Sequence, residues 1–118
     1  LDFDMSYKIP IACFGHPDLS GYEQMILFEV GYRCDWNPEK VKGYDLGLIL
    51  PDIGLDEAIK TYSALNSQGT DVIFGYDSAL EAVIERLGIE QSGLLQVRDY
   101  DSNKLVDLVK SLLPRRVV

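Results

Sequence analysis

Hydrophobic positions along this 118-residue chain switch repeatedly between two periods. Lys8–Phe14 (KIPIACF) is an apolar run, which predicts a strand buried on both faces. Leu19, Tyr22, Ile26 and Val30 then recur at helical spacing, with Asp18 placed to cap that helix and Gly31 to end it. Tyr32, Cys34 and Trp36 alternate with Arg33 and Asp35, the pattern of a half-exposed strand. Asn37–Gly43 is polar and too short for a full crossover helix. Asp45–Leu50 predicts another apolar strand, stopped by Pro51-Asp52.

The same alternation continues to the end. Leu55, Ile59, Tyr62 and Leu65 mark a helix begun at Gly54 or Asp56, and Asp71–Phe74 a strand. Asp77 or Ser78 caps a helix carrying Leu80, Val83, Ile84 and Leu87, closed by Gly88. Leu94–Val97 is the fifth strand, and Ser102 caps a last helix with Leu105, Leu108, Val109 and Leu112, ended by Pro114. Strands alternating with helices imply an α/β sandwich, a five-stranded parallel sheet with helices on both faces. The expected fold is flavodoxin-like, as a single domain over residues 1–118, with its second helix shortened or absent. In such sheets ligands gather beyond the carboxyl ends of the strands. The loops that matter are then Gly15–Asp18, Pro51–Leu55, Gly75–Ser78 and Arg98–Asp101.

Charge and composition narrow the function. Nineteen acidic against eleven basic residues leave a net charge of −8. Phosphate contacts need clustered Lys and Arg, so direct nucleic-acid binding and adhesion to anionic membranes are disfavoured. Apolar runs fall far short of the ~20 residues a membrane span requires. Cys13 and Cys34 lie inside expected strands, as buried thiols of a cytoplasmic protein do. Residues 1–6 are expected to be a tag or a disordered start. Residues 114–118, with Arg115-Arg116, read as the start of a linker.

Several motifs fit a known family. Arg98-Asp99-Tyr100-Asp101 followed by Ser102-Asn103-Lys104-Leu105 resembles the end of a response-regulator receiver domain. Pro17, thirteen residues and then Gly31-Tyr32 matches that family's distance from its acidic loop to the Gly-Tyr after its first helix. Tyr44-Asp45-Leu46 matches the approach to its third strand. Receivers hold Mg²⁺ on a carboxylate pair after strand one and phosphorylate an Asp ending strand three. A Thr or Ser ends strand four, and a Lys strand five. On this register the resemblance puts Phe14 and Gly15 at the acidic pair, Leu50 at the acceptor, Gly75 or Tyr76 at the hydroxyl and Arg98 at the Lys. Mg²⁺ needs oxygen ligands, and these positions supply none. The chain is therefore similar to a pseudo-receiver: no catalysis, no cofactor and no metal. The missing helix resembles pseudo-receivers fused to RNA-binding antiterminator domains, with Trp36-Asn37-Pro38-Glu39 at the gap.

The resemblance implies a signalling module that regulates a transcriptional or other output domain by protein contact. Its partner, an output domain or a second copy, would dock on the face of helix four, strand five and helix five, here Tyr100, Lys104, Glu81 and Glu85. The polar residues around the degenerate pocket are His16, Asp18, Asp52 and Asp77. Asp18 and Asp52 have bland roles too, as a helix cap and a turn residue. Two alternatives stand beside this reading. Cys13 followed by Ser20 has the spacing of a phosphotransferase-system IIB phosphocarrier, although Phe14, His16 and Pro17 are bulky for a phosphate loop. A small ligand in the vacated pocket is the other. Without carboxylates, Phe14 and Tyr76 are expected to pack over Leu50, and Arg98 to pair with Asp18, Asp52 or Asp77 or to turn outward to solvent.

Overall fold

The structure, a computed structural model, describes residues 8–16, 21–90, 93–96 and 102–113. Five strands form one parallel sheet: β1 (Ile9–Phe14), β2 (Tyr32–Trp36), β3 (Leu46–Ile49), β4 (Asp71–Tyr76) and β5 (Leu94–Gln96). Their spatial order is β2-β1-β3-β4-β5. Among the described residues three helices connect strands, α1 (Gly21–Glu29), α2 (Leu55–Ser67) and α3 (Glu81–Leu87), and α4 (Ser102–Leu112) follows β5. This is the flavodoxin-like α/β arrangement that the period changes predict.

Side-chain alternation along the strands divides the core in two. Ile11 and Cys13 of β1 and Leu46 and Leu48 of β3 pack with Leu27 of α1 and Leu105, Val106 and Val109 of α4. On the other face, Ile49 and Phe74 pack with Ala58 and Leu65 of α2 and Ile84 of α3. The interior strands carry apolar residues at consecutive positions because both faces are covered. Single 3₁₀ turns at Pro51–Ile53 and Ser78–Leu80 lead into α2 and α3. Gly88, at φ 65°, closes α3 in the left-handed conformation a glycine accepts without strain.

Between β2 and β3 there is no helix. Only residues 37–45 connect them, and the register sets Trp36 level with Cys13 and Leu46 one step below Ala12. The link therefore steps over one strand and descends little, which extended chain does without the dozen or more residues of an ordinary crossover. Val41 from this link packs against the second core. Tyr44 reaches back past β1, its hydroxyl donating to Asp35 Oδ2 at 2.8 Å. The face of β2 left without a helix carries Arg33 and Asp35, paired at 3.3 Å. Its other face carries Tyr32, Cys34 and Trp36 against the first core. The indole nitrogen of Trp36 is buried with no hydrogen-bond partner among the described residues.

Element ends differ from the expectations by small amounts. β4 runs on to Tyr76, two residues past Phe74, because Gly75 and Tyr76 still pair with Leu95 and Gln96 of β5. Leu80 lies in the 3₁₀ turn before α3, with Asp77 Oδ1 accepting from the Ala79 N–H at 3.1 Å. Gly54 is the residue before α2, and Asp56 lies within its first turn. Val97, Asp18 and Pro114 lie outside the described residues, as do residues 1–7 and 114–118.

Gly47 of β3 lies against the Leu65 side chain of α2. A Cβ there would stand 2.5 Å from Leu65 Cδ1, and Leu65 is fully buried and cannot yield. Gly47→Ala is expected to cost about 1–3 kcal/mol by overpacking. Urea denaturation measures it, with the midpoint falling at unchanged slope.

Candidate functional site

The carboxyl ends of β1, β3 and β4 bring together Phe14, Gly15 and His16, Leu50 to Asp52, and Gly75 to Asp77. β1 and β3 are neighbours here although α1 and β2 intervene in sequence, and their connections leave in opposite directions. That is the switch point where open α/β sheets bind ligands.

Gly15 is the pivot of this edge. Its φ of 135° is one that side-chain-bearing residues rarely adopt. A Cβ on it would also meet Asp52 Oδ1 at 2.7 Å and Leu50 Cβ at 2.9 Å. Two polar side chains close on the backbone it turns. Asn37 Oδ1 accepts from the Gly15 N–H at 3.0 Å, and Asn37 Nδ2 donates to the Gly15 carbonyl at 2.8 Å. Asp52 Oδ2 accepts from the His16 N–H at 2.8 Å. The backbone of Asn37 is held in turn, its N–H donating to the Cys13 carbonyl at 2.7 Å. Asn37 adopts a left-handed φ of 48°, which Asn tolerates better than most residues.

The expected cluster of Phe14 and Tyr76 over Leu50 is not formed. Leu50 follows Leu48 onto the α1/α4 face and is nearly buried there. Phe14 and Tyr76 lie on the α2/α3 face. Period-two alternation puts strand-end residues of opposite parity on opposite sides of the sheet, which proximity in a loop plan overlooks. Gly75 sits against the chain of the neighbouring strand, where a Cβ would meet Ile49 O at 3.0 Å. Asp77 is occupied as a cap, and His16 is exposed. Asp18 and Arg98 lie outside the described residues, as do Ser20 and Tyr100. Asn37 escaped the sequence reading; the Asn-Pro dipeptide marked a turn there, but nothing local pointed to Gly15, 22 residues away. Among the described residues, no three of His, Cys, Asp and Glu gather closely enough to hold a metal ion.

Cys13 faces the first core and is fully buried, its thiol 3.6 Å from the Ile11 carbonyl. Cys34 stands on the same face of the neighbouring strand, opposite Ile11. A hydrogen bond to Cys34, and then burial, holds the Cys13 thiol well above its ordinary value, and the same bond lowers Cys34. Cys13 is thus the poorer nucleophile of the two.

Elsewhere, Glu81 and Glu85 are exposed on α3 and Lys104 on α4. An open groove of about 440 Å³ runs beside β5 and α4, lined by Leu94, Leu95, Lys104, Asp107, Leu108 and Ser111. A second hollow of about 390 Å³, with Tyr62, Asn66 and Asp71 in its lining, opens around the start of β4 and the end of α3, away from the switch point. No described helix is long and apolar enough to cross a membrane. No protein-family model matches the chain, and comparisons with curated proteins and with solved structures find no match.

Two outcomes test this geometry. Asn37→Ala removes two hydrogen bonds and places Ala at a left-handed φ, so a loss of about 2 kcal/mol is expected. Asn37→Gly, which keeps the backbone free, should lose less, and chemical denaturation of both variants compares them. In native-state alkylation followed by mass spectrometry, Cys34 should be labelled well before Cys13, and label should reach Cys13 only as the sheet opens.

Proposed function

We propose that this chain is a non-catalytic signalling module, a pseudo-receiver that regulates an attached or separate output through protein contact. The strand order β2-β1-β3-β4-β5 with α1 and α4 on one face supports the reading at the level of architecture. Fold alone does not carry function, so the weight rests on the site. The observation that carries it is the Asp52 carboxylate bound to the His16 N–H. Asp52 is the acidic residue closest to where a receiver's phosphoacceptor would stand, two positions past Leu50, and here it fastens a loop. A carboxylate engaged in this way, with its other oxygen lying where a Cβ on Gly15 would stand, is poorly placed to attack a phosphoryl group in line.

A ligand sensor at this edge would have to compete for Asn37 and Asp52, whose side chains are engaged by the Gly15 and His16 backbone. A phosphocarrier at Cys13 would need a thiolate at the strand end, and that thiol is buried and holds its proton. The contact face in this reading is α3, β5 and α4, the counterparts of a receiver's helix four, strand five and helix five. Of its exposed charges, Lys104 lines the groove at Leu94 and Leu108, and Glu81 and Glu85 line a separate hollow on the α3 side of Leu94. A transcriptional output is one partner that such a face would serve.

Incubation with Mg²⁺ and acetyl phosphate is the direct test. Intact mass spectrometry should record no gain. A gain of one phosphoryl group that is acid-labile and removed by hydroxylamine would contradict the proposal, and mapping it to Asp52 would restore a phosphorylated switch.

A further inference from the structure

The geometry points to a second copy of this chain pairing antiparallel along the free edge of β2, joining two five-stranded sheets into one. Among the described residues β2 is the outermost strand on its side and pairs with β1 alone. The Ile9 N–H donates to the Gly31 carbonyl and the Asn37 N–H to the Cys13 carbonyl. Odd-numbered residues therefore turn their backbone groups toward β1. Alternation then turns those of Tyr32, Cys34 and Trp36 outward. The outward backbone groups of Cys34 and Trp36 have no partner among the described residues. Protein edges are usually blunted by proline, a bulge or an inward charge. The five residues of β2 contain no proline, and their register with β1 is unbroken.

The sequence of the strand, Tyr-Arg-Cys-Asp-Trp, selects both the occupant and the register. With Cys34 opposite Cys34 of the other copy, Arg33 faces Asp35 and Asp35 faces Arg33, while Tyr32 faces Trp36. Cys34, at the centre, then forms a hydrogen-bonded pair with Cys34 of the other copy. The charged residues fall at the closer, non-hydrogen-bonded positions, where unlike charges stabilise. Sliding by two residues in either direction puts Arg33 against Arg33 or Asp35 against Asp35, which repel. A strand whose charges complement themselves about its centre suits a two-fold contact between identical surfaces. The segment is neutral although the chain carries −8, so approach along this edge avoids the protein's net repulsion.

The two faces fit the same axis, which runs perpendicular to the sheet. On the face without a helix, each internal Arg33–Asp35 pair is retained and extended into a four-membered charge network. On the other face lies α1, packed on β2. It carries Tyr22 and Met25, 59% and 51% exposed, the two most exposed of the large apolar residues described. The second copy brings its own α1 to that face.

Sedimentation velocity of the whole chain over a concentration series tests the proposal. A concentration-dependent dimer is expected. Arg33→Asp sets Asp against Asp twice and should raise the dissociation constant at least about tenfold. The double variant Arg33→Asp with Asp35→Arg restores opposite pairing and should dimerise again. Mild oxidation should join two chains through Cys34, because hydrogen-bonded opposite positions lie ~5.5 Å apart, within disulfide reach. Cys34→Ser should not be joined. If Arg33→Asp fails to fold by circular dichroism, the native chain's mass and its Cys34 cross-link decide alone. A chain that stays monomeric at millimolar concentration overturns the proposal. So does a dimer that ignores both charge variants and yields no Cys34 cross-link, since such a dimer uses another face.

Discussion

The end of β1 depends on two polar side chains that close on two residues of backbone. Gly15 leaves the strand at a positive φ, and its N–H and carbonyl both turn to the Asn37 carboxamide. The next amide, at His16, turns to Asp52. Neutral hydrogen bonds of this kind contribute roughly 1 kcal/mol each, and a bond to a carboxylate more. Their larger effect is geometric. Asn37 follows β2 and Asp52 follows β3, so the three bonds tie the strands on either side of β1 to its end. The switch point of the sheet becomes a fastened turn. Ligand sites in this fold draw on polar groups at that place, and here the Asn37 and Asp52 side chains are engaged by the backbone at the end of β1.

The absence of a helix after β2 has consequences on both sides of the sheet. A nine-residue link cannot cover β2, so the strand's second face is polar, and Arg33, Asp35 and Tyr44 satisfy one another there. The interior strands, covered twice, carry apolar residues at nearly every position. The edge strand, covered once, alternates. The same short link places Asn37 immediately past Trp36, where it reaches Gly15. Losing a helix and gaining a lock on β1 are thus two results of one short connection.

Much of this was legible in the sequence. Period changes marked every strand and helix, and the polar stretch Asn37–Gly43 announced the missing crossover helix. The alternation at Tyr32–Trp36 announced a strand covered on one face only. What stayed hidden depended on facts of distance. That Gly15 and Asn37 bond across 22 residues follows from the register of β1 and β2, which no local pattern encodes. Leu50 was expected beneath Phe14 and Tyr76, but strand parity sends it through the sheet to the opposite core. Asp52 was read as a turn residue or a partner for Arg98. Its bond to a main-chain amide required knowing that β1 and β3 are adjacent.

The central claim is that the Gly15–His16 backbone at the end of β1 is a fixed turn held by Asn37 and Asp52. Native-state hydrogen exchange of the Gly15 and His16 amides tests it most directly, because both N–H groups lie beyond the sheet ladder and donate to those two side chains. The account predicts that both exchange slowly, on the scale of the interior amides of β1. Exchange at the rate of an unstructured peptide would contradict it and would mean that this edge opens freely.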